Sequence, residues 1–297
     1  MKISGSITLT PSRVYSCHNQ PVLTCMPIDQ KNFITAGFDG LLGRIDNSRE
    51  DIDAFIFEKG FHNGIIFKFL KLSETQFCSC GQDKIRINET STYKECSTLS
   101  KEGAFWRCVE LIDKNTLAAG GSDSIISVWS LSDKNKLYDL TGHESFILAM
   151  LCLNDKTLIS SGNDKKMIIW DLTTKTIKKK IDLDSSIRSF CIVENNRFVS
   201  GDESGKVVLW NNEGDSMNLV EAHKGSILVI QKLLWGHVFC TAGKDKSLIF
   251  WNMKKLEMIG KYEGVHFDTI TDVKEFKNNK LITCSYDTLV KVWDIKY

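Results

Sequence analysis

Residues 140–172 read LTGHESFILAMLCLNDKTLISSGNDKKMIIWDL, and this stretch decides the fold. It runs Gly-His, an alternating apolar segment, a turn, a short apolar run, Gly-Asn-Asp, and an apolar run closing on Trp170-Asp171. Alternation with a two-residue period is the mark of a strand. Slid along the chain, the stretch finds copies of itself. Trp129, Trp170, Trp210, Trp251 and Trp293 end equivalent runs, separated by 41, 40, 41 and 42 residues. A fixed period near 40 denotes an array in which each repeat buries its apolar faces against its neighbours.

Gly142-His143 and Trp170-Asp171, with His143 27 residues and Asp164 six residues before the tryptophan, resemble the signature of the WD-repeat family. The likeness extends over almost the whole chain. It implies an all-β fold, a seven-bladed β-propeller of four-stranded antiparallel blades. It also implies that histidine, turn aspartate, a strand Ser or Thr (here Ser160) and tryptophan form a buried hydrogen-bonded tetrad. Complete His-Asp-Trp sets occur in blade four (His143, Asp164, Trp170), blade six (His223, Asp245, Trp251) and blade seven (His266, Asp287, Trp293). Blade one has His18 and Asp39 but Ile45, and blade two has His62 and Asp83 but Asn88. Blade three has Glu102 for the histidine and keeps Asp123 and Trp129; blade five keeps Trp210 but has Leu183 and Ser204.

The 297 residues are expected to form one ring, with blades ending near 58, 97, 140, 181, 221, 262 and 297. Residues 3–9 read as a strand with nothing before it, while Trp293 ends only the third strand of its blade. The family's closure resolves both: the N-terminal strand becomes the outer strand of blade seven, which leaves no open edge. Asn47 to Ile52 read as an exposed turn.

Hydrophobic residues at 42%, charged residues at 25% and a formal net charge of +1 are ordinary for a soluble globular chain. Nothing global points to nucleic acid or an anionic membrane. There is no apolar run of about 18 residues to span a bilayer. The N-terminus lacks the apolar core of a signal peptide, so a cytoplasmic or nuclear location is expected. Ten cysteines are scattered without Cys-x-x-Cys pairing, which predicts neither a metal site nor a disulfide framework. Lys178 to Lys180 read as solvated edge lysines rather than a nucleic-acid footprint.

Histidines and aspartates that recur at the repeat period hold blades together, and no nucleophile–base pair or phosphate loop stands beside them. The chain therefore reads as a non-enzyme with no cofactor. Function falls to positions that vary between blades on the narrow top face, where the resembled family usually binds peptides. These lie three and five residues after the histidine place and just before the turn aspartate. Blades one to four then offer an apolar arc of Leu23, Phe38, Ile65, Phe67, Phe105, Phe146 and Leu148, joined by Arg107, Arg188 and Tyr286. A contiguous apolar arc marks an interaction site, and arginines pair with carboxylate or phosphate. The reading is a scaffold or adaptor, monomeric by itself, that binds proteins or peptides within a multi-subunit complex. It expects no small-molecule substrate, no membrane and no direct nucleic-acid contact. Two alternatives stand beside it: a ubiquitin-pathway substrate receptor or ubiquitin-binding propeller, and an RNA-processing or ribosome-assembly subunit. The Arg expected three residues after Trp in one receptor class is replaced by Ser132, Thr173, Glu213, Lys254 and Lys296.

Overall fold

The computed structural model describes residues 7–49, 55–58, 60–101, 103–194, 197–234, 236–276 and 279–296. Among these residues, 28 strands form seven four-stranded antiparallel sheets. The first strand, β1 (Thr8–Tyr15), stands apart from the blades that follow it in sequence. Blade one is β2 (Val22–Pro27), β3 (Asn32–Gly37), β4 (Leu42–Asp46) and β5 (Phe55–Glu58); blade two is β6 (Ile66–Lys71), β7 (Gln76–Gly81), β8 (Ile85–Glu89) and β9 (Glu95–Leu99). Blade three is β10 (Trp106–Asp113), β11 (Thr116–Gly121), β12 (Ile125–Ser130) and β13 (Lys136–Thr141); blade four is β14 (Ile147–Asn154), β15 (Thr157–Gly162), β16 (Lys166–Asp171) and β17 (Thr176–Asp182). Blade five is β18 (Ile187–Ile192), β19 (Phe198–Asp202), β20 (Lys206–Trp210) and β21 (Ser216–Glu221); blade six is β22 (Ile227–Lys232), β23 (Val238–Gly243), β24 (Leu248–Asn252) and β25 (Glu257–Tyr262). Blade seven is β26 (Ile270–Glu275), β27 (Lys280–Ser285) and β28 (Val290–Lys296), completed by β1.

Each blade has a neighbour on both faces, so its middle strands are buried on both sides and read as continuous apolar runs rather than alternating ones. The second strands end in small residues, as in Thr35-Ala36-Gly37, Ala118-Ala119-Gly120 and Ser200-Gly201. That choice is steric. A Cβ on Gly120 would meet Ile147 of the next blade at 2.9 Å, and one on Gly201 would meet Ile227 at 2.5 Å. The core is accordingly seven slabs, one between each pair of consecutive blades. Ile34, Phe69 and Phe77 fill the slab between blades one and two; Cys80, Trp106 and Trp129 that between two and three; Tyr15, Phe33 and Val292 that between seven and one. Burying each such side chain is worth about 1.5–3 kcal/mol.

The ring is closed by β1 pairing antiparallel with β28, from Thr8 opposite Lys296 to Tyr15 opposite Val290. The described closing strand is Thr8–Tyr15, which runs further along the chain than the expected 3–9 and shares Thr8 and Leu9 with it; residues 3–6 lie outside the described residues. Pro11 is admissible here because an edge strand needs no donor on its open side, and the register slips between Pro11 and Arg13. Tyr15 donates its hydroxyl to Asn47 Oδ1 at 2.9 Å, so Asn47 is buried at the start of the expected exposed turn; Ser48 and Arg49 are exposed, and residues 50–52 lie outside the described residues. A second clasp lies at the centre. Asp272 Oδ2 accepts from Thr24 Oγ1 and from the Cys25 N–H, each at 3.1 Å, and so ties blade seven to blade one. The same link recurs where Thr24 accepts from the Phe69 N–H at 3.2 Å and Ser189 from the Ile230 N–H at 3.0 Å.

Candidate functional site at the channel mouth

The repeated polar residues are consumed by the scaffold. In blade four, His143 Nδ1 lies 2.8 Å from Asp164, its Nε2 2.7 Å from Ser160 Oγ, and Trp170 donates to the same oxygen at 2.8 Å. His223, Thr241, Asp245 and Trp251 repeat this in blade six, and His266, Thr283, Asp287 and Trp293 in blade seven. Each aspartate can only accept, so a neutral histidine carries its proton on Nδ1; Nε2 then accepts from the hydroxyl, which itself accepts from the tryptophan N–H. Burial holds His143 and His266 below the ordinary imidazole range against the pull of their aspartates. In blade two, His62 bridges Asp83 and Ser79, and the Asn88 amide takes the tryptophan's role, donating to Ser79 Oγ at 3.4 Å. In blade one, His18 reaches Asp39 at 2.6 Å and Thr35 at 2.9 Å, and Ile45 holds the tryptophan's place in the strand. Blade five retains only the Trp210–Ser200 bond at 2.8 Å, and Asp202 there caps its own turn through the N–H groups of Ser204 and Lys206. Blade three retains neither, because Ala119 stands where the hydroxyl belongs, and among the described residues Trp129 Nε1 has no acceptor.

The variable positions are organised by two backbone features that recur in all seven blades. Every first strand slips register around the residue five after the histidine place, for example between Ile147 and Ala149 and between Trp106 and Cys108. A β-bulge leaves its extra residue unpaired and re-aims the side chain. The seven bulged residues are Leu23, Phe67, Arg107, Leu148, Arg188, Leu228 and Thr271, and all line the central channel, a cavity of about 240 Å³. The second feature ties the other two positions together. The residue before the turn aspartate donates its N–H to the carbonyl three after the histidine place: Phe38 to Pro21 at 3.0 Å, Gln82 to Ile65 at 2.9 Å, Ser122 to Phe105 at 3.0 Å, Asn163 to Phe146 at 2.8 Å. Blades five to seven repeat it with Glu203 and Ser186, Lys244 and Ser226, and Tyr286 and Thr269. Each blade therefore presents a pinned pair on the rim and one side chain in the mouth.

Of the expected residues, Phe105 and Phe146 are on the adjacent blades three and four, 48% and 50% exposed, and Tyr286 is exposed with its ring edge against Phe38, 5.9 Å between centroids. Ile65, Phe38 and Phe67 are half-buried. Leu23 and Leu148, expected in an exposed arc, are buried at 9% and 8%, because the bulge turns them down into the channel wall. The arc is thus two exposed phenylalanines and Tyr286 on the rim, with an apolar wall beneath.

The mouth is electrostatically lopsided. Arg188 is paired with Glu203 of its own blade at 3.1 Å. The Arg107 guanidinium instead lies over the Phe67 ring, 4.8 Å from its centroid, and among the described residues it has no carboxylate partner. Burial, and then the neighbouring Arg188 charge, push Arg107 below the ordinary arginine range. Three channel residues were not anticipated, Lys68, Asp272 and Lys274: Lys68 pairs with Glu110 at 3.5 Å, and Lys274 with Asp272 at 2.9 Å. Burial raises the Glu110 pKa in spite of Lys68. A polar residue six after the histidine place, Lys68 or Asp272, inside an otherwise apolar strand was the available signal. Phe267, 79% exposed, was likewise missed, since it lies one residue after a histidine rather than three or five.

Among the described residues no group of three or more His, Cys, Asp or Glu is arranged to hold a metal ion, and no helix is long and apolar enough to cross a membrane. The ten cysteines are free thiols, and burial raises Cys17, Cys78 and Cys108 to about 12, which keeps them protonated. Lys178 and Lys179 pair with Glu213 and Asp215 of the next blade at 2.9 and 2.7 Å.

Two family models match the chain: the tRNA methyltransferase TRM82 WD40 domain over residues 136–233, and the WD domain, G-beta repeat, over residues 259–294. The chain is 26% identical over 204 residues to Echinoderm microtubule-associated protein-like 1 of Mus musculus, covering 61% of this chain and 24% of that protein. It is 28% identical over 147 residues to Small ribosomal subunit protein RACK1y of Oryza sativa subsp. japonica (46% and 44%). It is 24% identical over 188 residues to the WD repeat-containing protein 89 homolog of Dictyostelium discoideum (62% and 40%). The match spans less than half the length of each of these relatives. Among solved structures, the WD40 beta propeller domain of Doa1 superposes with a TM-score of 0.83 over 96% of this chain and 97% of that one; at 17% identity it speaks to the fold alone.

Proposed function

Because this chain is a WD-repeat β-propeller, we propose that it is a rigid, non-catalytic scaffold that captures a protein or peptide segment on its top face, as one subunit of a larger assembly. The observation that carries this reading is the pair Phe105 and Phe146. Both are half-exposed on adjacent blades, and their backbones are pinned by the bonds from Ser122 and Asn163. Large exposed aromatics on a preorganised frame supply contact area at little entropic cost, and such side chains dominate interface energetics at roughly 2 kcal/mol or more each when central. The test is a quantitative pull-down comparing wild type with Phe105→Asp/Phe146→Asp, with circular dichroism to establish that the variant is folded. A discrete set of proteins lost from the folded variant supports top-face capture; an unchanged set sinks it.

A second reading is favoured by one finding, the match of residues 136–233 to the tRNA methyltransferase TRM82 WD40 domain. On that reading the assembly modifies tRNA, and the propeller is its structural member. An unaltered methylated-nucleoside profile in tRNA from cells lacking the protein would remove it.

A further inference from the structure

We infer that the channel mouth is an anion receptor: Arg107, backed by Arg188, takes one acidic side chain of the partner segment captured on the rim. This rests on the top-face reading above and specifies its chemistry.

The other charges around the channel already have partners. Lys68 is compensated by Glu110, Lys274 by Asp272 and Arg188 by Glu203. Arg107 has only the face of Phe67, and among the described residues no carboxylate is paired with it. Three plus charges meet three minus charges and a fourth plus charge is left over, so the mouth carries one uncompensated positive charge. Two guanidiniums that face the same cavity repel, and burial away from water makes that repulsion more costly. Nothing in the scaffold calls for the arrangement. At the same bulge position the other blades hold Leu23, Phe67, Leu148, Leu228 and Thr271, none of them charged. A guanidinium stacked on an aromatic ring keeps its edge N–H groups free for a planar or tetrahedral oxyanion.

The occupant fits what surrounds the charge. Leu23, Phe67, Leu148 and Leu228 form an apolar collar around Arg107 and Arg188, while Tyr286 stands at the mouth. A cavity of about 240 Å³ admits an acidic side chain, and the chain that carries it remains outside across Phe105 and Phe146. A free anion would gain nothing from those two rings. An acidic peptide engages both.

The probes are immobilised seven-residue peptide pools with random flanks and a fixed centre of Glu, phosphoserine, Gln, Leu or Lys, exposed to the full chain. Acid-centred pools should retain the protein better than the Gln-centred pool, the two acids being ranked by their separate arms. Arg107→Met should lower retention on acid-centred pools by about tenfold or more, the scale of one charge-assisted hydrogen bond, and leave the Leu-centred pool unchanged. Arg107→Lys keeps the charge without the fork and should fall between. Salt needs no variant: retention on acid-centred pools should drop from low to high ionic strength while that on the Leu-centred pool holds. Equal retention on Gln- and Glu-centred pools, or acid preference that survives Arg107→Met or high salt, overturns the inference. If acid preference is absent yet Phe105→Asp/Phe146→Asp still strips partners, this inference fails alone; if neither change has an effect, top-face capture fails with it.

Discussion

Blade three has a defect that a single atom should repair. Trp129 Nε1 is buried with no acceptor among the described residues, whereas the same atom in Trp170, Trp210, Trp251 and Trp293 donates to Ser160, Ser200, Thr241 and Thr283 at 2.8, 2.8, 2.9 and 2.9 Å. Ala119, fully buried, occupies the corresponding place. Ala119→Ser supplies the missing oxygen. A made hydrogen bond is worth about 1 kcal/mol net, and relief of an unpaired buried donor adds to it. The serine's own proton lacks a histidine to accept it, which takes some of this back. Blade five shows that such a serine still serves its tryptophan, since Ser200 does so beside Leu183. We expect a gain of about 1 kcal/mol, a rise in Tm of roughly 2 °C for a chain of this size. Urea midpoints should be measured for Ala119→Ser, Trp129→Phe and the double variant. In the native background Trp129→Phe removes an N–H that bonds to nothing; in the serine background it also removes a bond, so the cycle should close with a coupling of about 1 kcal/mol. Coupling within about 0.3 kcal/mol of zero, or a clear loss on Ala119→Ser, refutes the reasoning.

Three further outcomes follow from the geometry. Asp272→Ala should cost about 3 kcal/mol, because it leaves Lys274 without its partner and opens the clasp between blades seven and one; a melting temperature within a degree or so of wild type contradicts this. Gly121→Ala should cost about 2–3 kcal/mol and disturb the rim, since its Cβ would fall 1.7 Å from the Phe105 carbonyl oxygen; chemical denaturation decides, and a neutral result is the refutation. Burial holds His62, His143 and His266 low, so the unfolded chain binds protons that the folded chain does not. Their contribution is complete above about pH 6.5 and declines as pH falls through that value. Asp287, where burial is outweighed by the His266 bond and backbone N–H groups that hold it at about 2, adds a second loss below about pH 4. Melting temperature should therefore descend in two stages on acidification, and a flat profile from about pH 7 to 5 would contradict the first.

The ring and its seven slabs were legible because they rest on spacing. Tryptophans about 41 residues apart demand a common strand, and the resembled family's closure assigns the outer strand of blade seven to the N-terminal strand, as observed. The exact closing strand was not legible. Alternation in residues 3–9 competes with TLTPSRVY, whose proline hides its strand character until the partner edge is known. At the site, rim positions could be read from the repeat, but depth could not. Strict alternation assigns residues three and five after the histidine place to one face. The bulge breaks that alternation in every blade, so Phe105 and Phe146 stay on the rim while Leu148 and Arg107 turn into the channel. It also brings Lys68 and Asp272 to the channel wall, where they pair with Glu110 and Lys274. A bulge is a property of paired backbones, and one strand read alone carries no mark of it.

The two channel arginines come from the two blades that lack the histidine. Blades one, two, four, six and seven hold histidine between hydroxyl and aspartate and put leucine, phenylalanine or threonine in the mouth; blade five, with Leu183, puts Arg188 there. The intact tetrad does more than fill space. Its aspartate also accepts the N–H after the histidine, Glu144 to Asp164 at 2.9 Å and Lys224 to Asp245 at 3.1 Å, and so fixes the loop that enters the first strand. In blade five that loop is held by the Glu203–Ser186 backbone bond at 3.0 Å and the Leu183–Lys165 bond at 2.8 Å, with no such side-chain tie among the described residues. A loop without that tie would let Arg188 leave Glu203 to meet a ligand, which restoring the tetrad would test. Leu183→His/Ser204→Asp should therefore raise stability by up to about 1 kcal/mol, the value of the added hydrogen bonds less the lost apolar packing, while it weakens retention on acid-centred peptides. Stability and retention rising together, or retention unchanged in a stabilised protein, would mean that the loss of the tetrad in blade five is unrelated to what its arginine does.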